Sequence, residues 1–210
     1  MAERAELYVL GDSISMHYGP YLKRFLEPAV GYSRKGEGLA AGDLNLVSDA
    51  NGGDSRSCLE FLETNLPLLA ERFDWLLWNC GLHDIKTTAA GRQVSPECYA
   101  ANLERGVELV RKSGLQLLWC RTTGVCDELH NLRCRDFSRF RADVELYNRL
   151  ADRVMEEHRI PVCDLFGFTR KFGDEAFADH VHYVERVREL QGAFLAGWIF
   201  SELGNAAPNR

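Results

Sequence analysis

Four short apolar runs punctuate the chain, Leu7 to Leu10, Phe73 to Cys80, Leu115 to Arg121 and Ile160 to Leu165. Each is too short for a core helix and gives way to loop residues, which predicts strands. Their apolar residues are consecutive rather than alternate, so the strands are expected to be covered on both faces, as in a parallel sheet. A weaker strand is expected over Ala29 to Ser33. Between these runs, apolar residues recur at intervals of three and four over His17 to Leu26, Ser55 to Leu69, Glu97 to Lys112, Phe137 to Glu157 and Val184 to Leu203. That spacing predicts helices with one buried face. Strands alternating with helices give an α/β fold, a three-layer αβα sandwich around a central parallel sheet.

No internal repeat and no Pro/Gly-rich linker divides the 210 residues, so residues 1–210 are expected to form one domain. The loops expected at the strand ends are Lys35 to Gly53, Lys86 to Pro96 and Thr122 to Asp136. Ligands of open α/β sheets bind beyond the carboxyl ends of the strands, so these loops are expected to ring a single crevice.

The first strand stops abruptly at Gly11-Asp12-Ser13. A tight turn there holds the Ser13 hydroxyl at the edge of the sheet, although a serine in such a turn also serves as a helix cap. Asp179 and His182 stand three apart just before the last helix. That spacing lets the carboxylate bond the imidazole Nδ1 and leaves Nε2 free as a base, the arrangement a serine nucleophile needs. Read alone, Asp179 is equally a helix-start residue. Two further turns, Asn51-Gly52-Gly53-Asp54-Ser55 and Gly81-Leu82-His83-Asp84, offer donors for the oxyanion of a tetrahedral intermediate.

Together these four blocks, in this order and over nearly the whole chain, resemble the SGNH hydrolases, also called GDSL-type esterases or lipases. The resemblance places Ser13 as nucleophile, Asp179 and His182 as its catalytic partners, and Gly53 beside the Ser13 amide in the oxyanion hole. It implies a flavodoxin-like αβα fold and ester hydrolysis through an acyl-enzyme, with no cofactor and no metal. The third block departs from the pattern, because His83 stands where the family has asparagine. A neutral imidazole still donates one N–H, so His83 is expected to take the asparagine's place as third donor. Asp12, Asp84, Asn51 and Asn79 are read as braces of the loops.

Composition narrows the alternatives. A net charge of −6 and the absence of any basic run argue against nucleic acid as partner. No apolar run reaches membrane-spanning length. The polar start, Met1 to Glu6, predicts no signal peptide. Seven scattered cysteines, with Cys80, Cys120 and Cys163 in apolar runs, suit reduced thiols in a cytoplasmic protein. Zinc at Asp179, His180 and His182 lacks further ligands at a fixed spacing, and Cys120, Cys126 and Cys134 form no knuckle. The glycine patterns of nucleotide-binding loops are missing.

Trp75, Trp78 and Trp119 are expected in the core. The partner is expected to be a small-molecule ester. Polar residues in the loops (Lys35, Glu37, Asp43, Asp127, Glu128, His130, Asn131, Arg133, Arg135) favour a short acyl group, such as acetyl, on a polar or carbohydrate alcohol over a long lipid chain. A lipase, thioesterase or acyltransferase would use the same site. A binding protein of the same fold would be favoured only by His83.

Overall fold

The structure is a computed structural model and describes residues 4–36 and 50–206. Five parallel strands, β1 (Ala5–Leu10), β2 (Val30–Arg34), β3 (Trp75–Trp78), β6 (Gln116–Cys120) and β7 (Val162–Cys163), form the central sheet in the order β2-β1-β3-β6-β7. This is the doubly wound order in which the chain reverses direction beside β1. In register, Leu7 pairs with Tyr32 and Trp75, and Leu77 with Leu118. A small antiparallel hairpin, β4 (Thr87–Thr88) with β5 (Gly91–Arg92), stands apart from the sheet.

The right-handed crossover rule explains the layers. Moving from β1 to the edge strand β2 puts α1 (Ser13–Leu26) on one face, where it packs against α7 (Glu185–Ala206). Moving back towards β7 puts α2 (Ser55–Ala70), α3 (Pro96–Ser113) and α5 (Arg141–Glu157) on the other, packed in sequence. Gly192 makes the α1/α7 crossing close, since a Cβ there would lie 2.8 Å from the Leu22 nitrogen. The strands are buried as their composition requires: Val9, Leu10, Leu76, Leu77, Leu118 and Trp119 are closed to solvent. Each such side chain contributes about 1.5–3 kcal/mol of burial free energy. Trp78 and Trp119 meet edge to face at 5.3 Å in the middle of the sheet, and Trp75 is partly buried against the same core. All seven cysteines are free thiols.

The differences from the sequence reading lie at element ends and in short elements inside the expected loops. The first helix begins at Ser13 rather than His17, because the Asp12 carboxylate caps it by accepting the Ile14 N–H at 2.9 Å. Helix α5 begins at Arg141 rather than Phe137. The expected loop Thr122 to Asp136 contains a helix, α4 (Asp127–Arg133), whose acidic first turn and basic last turn suit the helix dipole. A short helix α6 (Leu165–Thr169) and two single 3₁₀ turns, Arg170–Phe172 and Asp174–Ala176, lead towards the last helix. Glu37 and Asp43 lie outside the described residues.

Candidate active site

The predicted residues lie at the carboxyl ends of β1 and β3, in the turn before α2 and in the loop before α7. Ser13 is the first residue of α1, held there by the Asp12 cap. Its hydroxyl lies 2.8 Å from His182 Nε2, and His182 Nδ1 lies 2.8 Å from Asp179 Oδ2. The second oxygen of Asp179 accepts the backbone N–H groups of Val181 and His182, each at 2.8 Å. This loop is tied at its base by the bridge between Phe177 and Tyr183 and by the Ala178 N–H, which donates to the His182 carbonyl at 2.8 Å. Burial opposes ionisation of Asp179, but the His182 ring and the two backbone donors outweigh it and hold the carboxyl well below the usual carboxylate range. An ionised Asp179 fixes His182 as the tautomer with its proton on Nδ1. Nε2 is therefore the acceptor for the Ser13 hydroxyl.

A second histidine flanks this chain. His17, one helical turn beyond Ser13, sets its ring against that of His182 at 4.9 Å between centroids, inclined by 60°. Burial, with the nearby Arg188, pushes the His17 imidazole down to about 4, so it is neutral beside His182. Its i, i+4 relation to Ser13 becomes visible in the sequence only if the helix is started at the serine.

On the other side of Ser13 are the two glycine turns. Gly53 has φ +75°, a conformation that glycine adopts without strain. Its N–H donates to the Asn51 side-chain oxygen at 2.8 Å. That bond orients the Asn51 amide, leaving its nitrogen towards His83 Nε2 at 3.5 Å. His83 is therefore arranged with its proton on Nδ1, and Nδ1 is buried with no partner. Burial, reinforced by Lys86 and Arg139, pushes the His83 imidazole down to about 3. It is a neutral single donor. The Ser13 N–H, first of its helix, also has no acceptor among the described residues.

The braces hold the loops, although Asp84, expected to tie the His83 turn to the Ser13 turn, ties it to α2 instead. Asp84 accepts the Ser55 N–H at 2.9 Å, linking the His83 turn to the start of α2. The Asn79 amide donates to the Cys120 carbonyl at 2.9 Å. Lys35 Nζ donates to the Asn51 carbonyl and Arg34 to that of Ala50, so the end of β2 secures the Gly53 turn. Asn148 clasps both backbone groups of Thr122.

Sequence reading missed Arg139, which is 2% exposed and donates from Nε to the Leu82 carbonyl at 2.7 Å. Nothing in its sequence context marks it. His130, counted among the polar residues of the substrate loops, is fully buried, with Nδ1 2.6 Å from His180 Nδ1. The described residues hold no group of three or more potential metal ligands. A cavity of about 250 Å³ borders the base of the His182 loop, with Phe166, Phe177, Tyr183 and Arg141 among its walls. Neither Ser13, His182 nor His83 lines it, so it does not hold the Ser13–His182 pair.

A serine, histidine and aspartate in line at the mouth of a doubly wound parallel sheet form the arrangement that nucleophilic acyl transfer uses. The comparisons with known proteins agree: a model of the GDSL-like lipase/acylhydrolase family matches residues 9–186. The chain belongs to that family and is an ester-hydrolysing enzyme. No curated protein matches it by sequence.

Among solved structures, a lipase/acylhydrolase from Enterococcus faecalis is similar with a TM-score of 0.71 and 18% identity, over 94% of this chain and 96% of that one. The acetyl xylan esterase AlAXEase is similar with a TM-score of 0.64 and 16% identity, over 94% and 99%. A psychrotrophic esterase from Pseudoalteromonas gives 0.66 and 14%, over 95% and 99%. At these identities the likeness is one of fold. No helix among the described residues is long and apolar enough to cross a membrane.

Proposed function

We propose that the protein is a serine carboxylester hydrolase working through an acyl-enzyme on Ser13. The observation that carries this is the line from Ser13 Oγ to His182 Nε2 and from His182 Nδ1 to Asp179 Oδ2, both links 2.8 Å. Ser13 Oγ bonds to the ester carbonyl carbon while its proton passes to His182 Nε2, and the carbonyl π pair moves onto oxygen. The tetrahedral intermediate collapses with loss of the alcohol, which leaves with the proton from His182. Water then attacks the acyl-serine by the same steps and releases the acid. Asp179 keeps the imidazole oriented and stabilises its charged form.

The oxyanion is received by the Ser13 N–H and by His83 Nδ1–H, a buried donor with no partner of its own. Gly53 can add a third only by sharing its N–H with Asn51, to which that N–H is bonded. His83 thus does the work of the asparagine found in the family. A short acyl group, such as acetyl, on a polar alcohol is the favoured substrate. The polar residues around Ser13 (Asn51, His83, His17) and the acetyl xylan esterase among the similar structures support this.

A fluorophosphonate probe tests the nucleophile. The native protein is expected to be labelled and to hydrolyse p-nitrophenyl acetate, and Ser13→Ala to lose both with its thermal unfolding unchanged. Labelling of Ser13→Ala at the native rate would remove Ser13 from the mechanism. A chain-length series of nitrophenyl esters tests the acyl group, and a preference for eight carbons or more, a length at which an apolar channel is needed, overturns the short-acyl reading.

A further inference from the structure

Two cations stand beside the oxyanion turn with no carboxylate in ion-pair contact among the described residues, although Asp12 and Asp179 act on Arg139, and Asp54 on Lys86, from further away. Arg139 is 2% exposed, yet it makes no ion pair among the described residues; Nε is used on the Leu82 carbonyl and Nη1 is buried with no partner. Lys86, half-buried at the end of the same Gly81–Asp84 turn, also makes no ion pair among them. One aromatic ring brings the two together, since Phe137 has the Lys86 ammonium 5.0 Å and the Arg139 guanidinium 4.9 Å from its centroid. The same ring packs on His130 at 5.5 Å, and His130 bonds His180, the neighbour of Asp179. The cluster therefore spans the gap between the turn that carries His83 and the loop that carries His182.

Burial of a cation is costly unless a counter-charge faces it. The carboxylates of this region are already occupied or reluctant. Asp179 is engaged by His182, and Asp54 by Ser57, Gln93 and Arg56. Asp12 and Asp84 are buried, each with one oxygen lacking a partner, and burial raises both carboxyls above their ordinary range. In a protein of net charge −6, the His83 turn is thus flanked by two cations without ion pairs. Their field lowers the proton affinity of His83, on which Lys86 and Arg139 both act.

We infer that Arg139 and Lys86 form an anion subsite beside Ser13, and that the natural substrate is an ester carrying a carboxylate or a similar anion close to the scissile bond. A guanidinium fixed by one N–H, with Nη1 buried and without a partner, keeps a donor that such a group would satisfy. This rests on the acyl-enzyme reading above and names the substrate class within it.

Matched ester pairs test the inference with the native protein. Methyl 4-acetoxybenzoate and 4-acetoxybenzoate differ by one charge on the leaving side, and methyl butyrate and monomethyl succinate by one on the acyl side. The anionic member of at least one pair is expected to have a kcat/KM about 10-fold or more higher, and which pair shows it tells the side on which the anion sits. Raising sodium chloride to about 0.5 M should shrink that ratio, since the rim of the site is open to screening. Arg139→Met and Lys86→Met should each reduce the ratio, and Lys86→Met, at a half-buried position, keeps the test available if Arg139→Met does not fold.

Hydrolysis of both pairs without preference for either anion, with normal labelling of Ser13, overturns the subsite alone. If no ester is hydrolysed and Ser13 is not labelled, the acyl-enzyme reading falls and the subsite falls with it.

Discussion

The two walls of the site are built differently. In the Phe177 to Tyr183 loop every catalytic polar atom has a partner: both oxygens of Asp179, both nitrogens of His182 and the Ser13 hydroxyl. Across Ser13, in the Asn51–Gly53 and Gly81–Asp84 turns, the bonds hold the backbone while the donors aimed elsewhere are left over: His83 Nδ1, the Ser13 N–H and Arg139 Nη1. The first wall is complete in itself, and its job is to move a proton along bonds that already exist. The second keeps donors without partners, which suits a wall that meets negative charge appearing only during the reaction.

The largest effects should come from breaking the first wall. His182→Ala removes the base and is expected to lower kcat by about 10⁵ to 10⁶, leaving only what the oxyanion donors and binding provide. Asp179→Asn should cost less. The Asp179 side chain is 38% exposed, so water can replace part of its support of the imidazole, and a loss of about 10³ is expected instead of the roughly 10⁴ seen where the acid is sealed. Steady-state rates on p-nitrophenyl acetate measure both. If Asp179→Asn equals His182→Ala, the carboxylate does more than orient. If it matches the native rate, the aspartate is only the helix-start residue that its sequence position also allows.

The second wall is broken by His83→Ala and repaired, on this reading, by His83→Asn. Removal of one oxyanion donor is expected to reduce kcat by about 10² to 10³ with little change in KM, because the lost bond forms only in the transition state. Asparagine restores a side-chain N–H at the position where the family carries one, so the Asn variant should recover most of the rate. A neutral His83 also makes a statement about pH. Its imidazole is pushed down to about 3, so its donor character does not change between about pH 5 and 8. The His83→Asn profile over that range should therefore have the same shape as the native one. An altered acid limb in His83→Asn would mean that His83 itself titrates during turnover.

The first wall was the more legible in the sequence, and for a physical reason. The strand that ends at Ser13, the turn that follows and the Asp179/His182 spacing are local patterns, each contained within a few residues. The Gly53 and His83 turns were equally local, and in the structure the first bonds the Ser13 turn through Gly52 and Gly11 and reaches His83 through Asn51. What the sequence did not show is how their donors are spent, because Gly53 gives its N–H to Asn51 and His83 keeps one nitrogen free. Arg139 was invisible because its role depends on Leu82, 57 residues away, and on Phe137 folding over it. The α4 helix was missed for a related reason: His130, in a stretch otherwise polar, is buried against Phe137 and His180, and tertiary contact rather than periodicity holds it.

The smallest expected effect concerns the brace beneath the second wall. Asp84 accepts the Ser55 N–H through one oxygen, while the other is buried without a partner. Burial pushes its carboxyl up to about 7, from an unfolded value of 3.8. A carboxyl whose folded value is raised binds its proton more tightly in the native state, so its contribution to stability is full below pH about 4 and is lost as pH rises through about 7. Over that window a single such group lowers the unfolding free energy by at most about 1.4 kcal/mol per pH unit, 2.303RT for one proton. Asp12, raised in the same direction by the same burial, adds to the slope. Asp84→Asn keeps an oxygen for Ser55 and cannot ionise. It should flatten the decline in urea midpoint between pH 4 and 7, and be the more stable of the two proteins at pH 7. An unchanged slope in Asp84→Asn would mean that the carboxylate is stabilised in the folded state. The tie between α2 and the His83 turn would then be a charged one, and the second wall would carry a fixed negative charge close to the oxyanion it is built to receive.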